Sequence, residues 1–142
     1  MLFGNLALVA ASLFTGAAFY INFAEQPARL LLDNRSLLQE WKPAYKRGFV
    51  MQSALAIIGF ILGLIAWWST GYIGFLVGGV LMLANWPWTI LGIMPTNRIL
   101  MNTNLDAADG DTRSLIVKWN GLHAVRTGLG VLACLSFLLA LS

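Results

Sequence analysis

No aspartate, glutamate, lysine or arginine occurs between Met1 and Ala24, between Phe49 and Ser69, or between Gly71 and Met94. Each run is long enough to cross the hydrocarbon core of a bilayer as a helix. A further run from Trp119 to Leu141 carries only His123 and Arg126 as polar ionisable groups. No run shows the alternation of a barrel strand, and a lone helix satisfies its own backbone in lipid, so four helices are expected. The spans are placed at about 2–24, 49–69, 71–94 and 119–141 within one domain covering 1–142. Only 11% of residues are charged, against about a quarter in soluble domains, and mean hydropathy is +0.74. The fold class read from this is all-α, an integral membrane four-helix bundle.

The first run lacks a basic leader and exceeds a signal-peptide core, so it reads as a span. Between spans one and two, Leu30, Leu31, Leu37, Leu38 and Trp41 share a face, with Asp33, Arg35, Glu40 and Lys42 opposite. That pattern predicts an amphipathic interfacial helix on the membrane surface, ended by Pro43. Arg29, Arg35, Lys42, Lys46 and Arg47 crowd the first long loop; Arg98, Arg113 and Lys118 occupy the other. The positive-inside rule then puts both long loops in the cytoplasm and both termini outside, as in the inner or plasma membrane of a bacterium. The net charge of +3 is read as topology, with no nucleic-acid partner.

Gly59 with Gly63, and Gly74 with Gly78, are small-xxx-small pairs for close helix packing. Trp67, Trp68 and Tyr72 read as an aromatic belt at the outer end. Exposed glycine faces leave room for a homo-oligomer.

Polar residues inside such helices are costly and mark candidate sites. Asn22, Glu25 and Arg29 fall on one face of the first helix, with Pro27 among them expected to kink or restart it. Trp119, His123 and Arg126 have the same kind of spacing on the fourth, where Arg126 lies about 10 Å beyond Trp119. The third offers Asn85, Trp88 and Thr89 and breaks near Asn97, and the second offers Gln52. All lie towards the charged end, so four polar faces can converge on one pocket. Arg126 can pair with Glu25 or snorkel to the surface.

The acidic stretch from Asn104 to Arg113 lacks calcium-loop order and reads as a solvated turn. No Walker, Rossmann or zinc pattern occurs. One histidine and one cysteine, Cys134, preclude a bis-histidine haem or a closed Cys/His zinc site in one chain. A metal site built on Glu25 and His123 stays open.

Three short motifs carry a resemblance: "EQPAR" from Glu25 to Arg29, "PTNRIL" from Pro95 to Leu100, and "WNGLHAVRTG" from Trp119 to Gly128. In this order they resemble the anthrone oxygenase-like family of small four-span membrane proteins, many without assigned chemistry. The resemblance spans essentially the whole chain. It implies oxygenation of a lipophilic aromatic molecule without metal or flavin. His123 would be the base, Arg126 with Asn97 would stabilise an anion, and Glu25 would orient His123 or Arg126. Trp119 and Trp88 would stack on a flat substrate, with Gln52 and Arg29 completing the pocket. The competing class is a non-catalytic membrane subunit or ligand-binding bundle whose polar residues only hold helices together. A transporter is disfavoured by the absence of broken-helix repeats.

Overall fold

The computed structural model describes residues 1–142. Four long helices account for nearly all of it: α1 (Leu2–Arg29), α2 (Asn34–Thr70), α3 (Ile73–Asn102) and α4 (Gly110–Leu141). All four are long and apolar enough to cross a membrane. Each packs along its two sequence neighbours, with α4 closing back on α1, so they form a square up-down-up-down bundle.

Local chemistry explains the corners. Asp33 caps α2 by accepting from the Ser36 amide at 3.0 Å, which holds its carboxyl below the usual range. Gly71, at φ 76°, turns the chain tightly from α2 into α3, where a side chain would be strained. Asp109 and Thr112 form a reciprocal capping box that starts α4 nine residues before Trp119. The acidic loop is thus a short 3-10 turn followed by a helix cap.

Two prolines leave matching marks. The backbone is π-helical from Ile21 to Glu25 in α1 and from Thr89 to Ile93 in α3. Pro27 and Pro95 each stand two residues after such a turn. A proline supplies no N–H and crowds the preceding turn, and a wider i to i+5 turn accommodates both defects. Neither helix breaks. The π-turn in α1 also rotates the residues beyond it, so Asn22 does not share the face of Glu25 and Arg29. Its amide donates to the Asn120 side chain at 2.6 Å and it accepts from the Thr127 hydroxyl at 2.8 Å.

The amphipathic stretch after α1 is helical from Asn34, with Leu30 and Leu31 in the turn before it, and it is not a separate helix. It runs unbroken into the second span, with Pro43 inside α2. Leu37, Leu38 and Trp41 are fully buried, packed with Ile93, Leu100, Ile116 and Trp119 in an apolar cluster at the charged end. Protein therefore covers Leu37, Leu38 and Trp41, whereas Leu31 of the same expected face is 88% exposed. A second cluster, including Phe14, Phe75, Met82 and Phe137, fills the other half of the bundle.

The glycine pairs do bring backbones together. A Cβ on Gly63 would stand 2.9 Å from the Phe75 carbonyl oxygen, and one on Gly78 would strike the Phe137 ring. Because a backbone oxygen cannot swing aside, Gly63→Ala should cost about 1–3 kcal/mol. A lowered unfolding midpoint in detergent micelles is the expected result; an unchanged midpoint would mean that α2 and α3 slide apart freely.

Candidate functional site

Between the two apolar clusters lies a polar layer, and all four helices contribute to it. One cavity is walled there by Glu25 and Arg29 of α1, Tyr45, Phe49 and Gln52 of α2, Asn97 of α3, and Trp119, His123 and Arg126 of α4. Seven of the eight residues expected at a site from sequence are therefore gathered in one place. The space is tight, with about 20 Å³ open to the centre of a water molecule. A polar space of that size holds about one water.

Trp88 is the exception. It does not line this cavity, and its indole N–H donates to the Leu122 carbonyl at 2.9 Å, tying α3 to α4. Trp119 is present but already occupied, with one face stacked on His123 at 4.9 Å between centroids and 12° between planes. Trp41 meets it edge-on at 5.8 Å and itself stacks on Tyr45 at 4.9 Å. Two i, i+4 aromatic pairs thus hold the imidazole in place from behind.

The expected Glu25–Arg126 pair is not formed. Glu25 pairs instead with Arg29, one turn away on α1, and Arg29 also meets Glu40 of α2 at 2.8 Å. Glu25 and Arg29 stand four residues apart across the regular helical turn that follows the π-turn, where ion pairs form easily. Arg126 does not snorkel either. It is 7% exposed, no carboxylate lies within 4.0 Å, and its guanidinium sits 5.5 Å from the Phe14 ring centroid. Cation–π attraction offsets only part of the cost of that placement.

The Arg29 bridge has a testable weight. Glu25 and Glu40 keep 25% and 38% of their side-chain surface exposed. Arg29→Met leaves two carboxylates facing one another without a cation. The expected loss, between that of exposed and buried pairs, is about 1–3 kcal/mol. Chemical unfolding should show it, and restoring half of it with Glu40→Gln would place the loss in the bridge.

Several buried polar atoms around the cavity find no hydrogen-bond partner within the chain. They include both amide atoms of Gln52 and of Asn97, the Trp119 indole nitrogen, both His123 ring nitrogens and Arg126 Nε. Native interiors rarely leave such atoms unpaired, and here they are concentrated around one cavity. Glu25 and His123 both reach the wall, and no third histidine, cysteine, aspartate or glutamate joins them.

Sequence reasoning missed Tyr45 and Phe49. Their signal was there, as Trp41, Tyr45 and Phe49 recur every four residues across Pro43. Glu40 was assigned to a solvated face, and its partnership with Arg29 depends on how α1 and α2 meet.

Fold and site together define a four-helix membrane bundle with a buried polar chamber. The anthrone oxygenase family model matches residues 41–136, and the chain belongs to that family. The match takes in α2 from Trp41, all of α3 and most of α4, hence every wall of the cavity except that from α1. No curated protein and no solved structure matches the chain.

Proposed function

We propose that this cavity is the active site of a membrane-embedded, cofactor-independent oxygenase acting on a planar, phenol-like aromatic compound such as an anthrone. The observation that carries the reading is the ring of partnerless polar atoms from Gln52, Asn97, His123 and Arg126 around one space. Family membership supports the reaction type. The substrate is delivered by the bilayer, and the chamber opens towards the cytoplasmic side assigned by the positive charges.

The reaction removes both hydrogens from one carbon. His123 takes a proton from the benzylic CH2 between the rings, leaving a carbanion delocalised as a phenolate. Arg126 and Asn97 hold that negative charge. Dioxygen then adds to the same carbon, giving a peroxide anion that recovers the proton from His123. His123 next removes the second C–H proton as the O–O bond breaks, and hydroxide leaves with that proton as water. One oxygen atom ends in the new carbonyl and the other in water. Stacking on Trp119 fixes the plane of the His123 imidazole.

A space with room for about one water does not admit a tricyclic ring system as it stands. Entry therefore requires side chains to move, and Tyr45 and Phe49 are large half-buried side chains on the wall. The tightness also favours a second reading, a bundle that binds a small ligand without turnover. Purified protein in micelles, supplied with anthrone and 18O2, separates the two. The expected product is a quinone carrying one heavy oxygen, formed well above the spontaneous rate, without accumulated hydrogen peroxide. Binding of anthrone with no such product would favour the second reading.

A further inference from the structure

Arg126 lies on the walls of two spaces, not one. A second chamber, with about 40 Å³ open to the centre of a water molecule, lies between α2 and α3, its lining including Phe49, Ser53, Asn85, Trp86, Ile90 and Arg126. Phe49 and Arg126 belong to both, so the two spaces are neighbours across these side chains. Trp86 and Ile90 are 39% and 55% exposed on the face that a bilayer would cover. Asn85 is 1% exposed, and its Oδ1 has no hydrogen-bond partner in the chain.

We propose that this second chamber is the dioxygen compartment of the site, filled from the bilayer between α2 and α3, with Arg126 as the cation shared by the two reactants. The inference rests on the oxygenase reading and adds to it where the second substrate waits. Room is the first argument, since the chamber has space for a molecule of dioxygen's size. Its surroundings are the second. Dioxygen dissolves better in hydrocarbon than in water, and this chamber faces the lipid side through apolar side chains. Charge is the third. The substrate anion gives one electron to dioxygen, producing an organic radical and superoxide, which recombine with formation of the C–O bond. Negative charge thus moves from one chamber towards the other, past a buried guanidinium that has no carboxylate partner, which is where a preorganised cation acts most strongly. Asn85 Oδ1 is an acceptor for the O–H of the hydroperoxide formed next.

The test fills the chamber. Ser53→Leu, with Ile90→Trp at the exposed rim as a second variant, should raise the apparent KM for oxygen about tenfold while the KM for anthrone stays within about twofold. A rise in the KM for anthrone would make the gap an entrance for the aromatic substrate, and no change in either would remove the compartment. An independent readout uses 5-fluorotryptophan protein under oxygen pressure. Paramagnetic relaxation at Trp86, assigned through Trp86→Phe, should fall in Ser53→Leu while that at Trp67 and Trp68 persists. Unchanged relaxation at Trp86 would overturn the proposal. If the wild type failed to oxidise anthrone, the oxygenase reading would fall, and the fluorine measurement would still decide whether oxygen enters the chamber.

Discussion

Replacing His123 with glutamine should reduce turnover of anthrone by about 10²–10⁴-fold, the usual contribution of a positioned general base. The substitution keeps a planar polar side chain of similar reach beside Trp119, so the bundle should still fold. Helical content and the elution position in detergent are the controls, and both should match wild type. Neither ring nitrogen of His123 has a hydrogen-bond partner of ordinary geometry within the chain. A merely structural histidine would behave in the opposite way, losing stability while sparing any catalysis. Retained turnover in the glutamine variant would move the base elsewhere, with Glu25 the next candidate on the same wall.

Arg126→Met should separate activity from stability in a more telling manner. The thioether fills the same volume against Phe14 and carries no charge. Removing a guanidinium that is 7% exposed and has no carboxylate partner should leave stability unchanged or raise it, because replacing a buried charge with an apolar residue relieves its desolvation cost. Turnover should meanwhile fall by about 10²–10³-fold, since the developing anion loses its fixed counter-charge. A thermal midpoint that rises as kcat falls is the signature of a group kept for function. A drop in both would assign Arg126 to the scaffold.

The fold was legible in the sequence wherever charge and hydropathy decide it. Uncharged runs of span length, glycines at the crossings and cap residues at the corners all speak locally, and they are enough to give α1 to α4. The site was legible in outline for a related reason. Polar residues on apolar helices stand out, and Glu25, Gln52, Asn97, His123 and Arg126 did. What local pattern could not convey was pairing. Glu25 pairs with Arg29 one turn on rather than with Arg126, and Trp88 donates to the Leu122 carbonyl, choices that depend on how the helices meet. A proline read as a stop at position 43 was instead carried inside a helix, since the leucines and tryptophan before it are held by α3 and α4. Tertiary packing supplied what the missing N–H removed.

Those two π-turns carry a consequence for how such a protein can diversify. Each is in effect a single residue added to a helix, and deleting one residue there would turn everything beyond it by about 100°. In α1 and α3 the added residue lies between the half held by glycine and phenylalanine packing and the half that supplies Glu25, Arg29 and Asn97. The two halves can therefore be re-phased against one another by one-codon length changes, without disturbing the crossings at Gly63 and Gly78. A lineage could in this way present new side chains to the chamber while keeping its bundle intact.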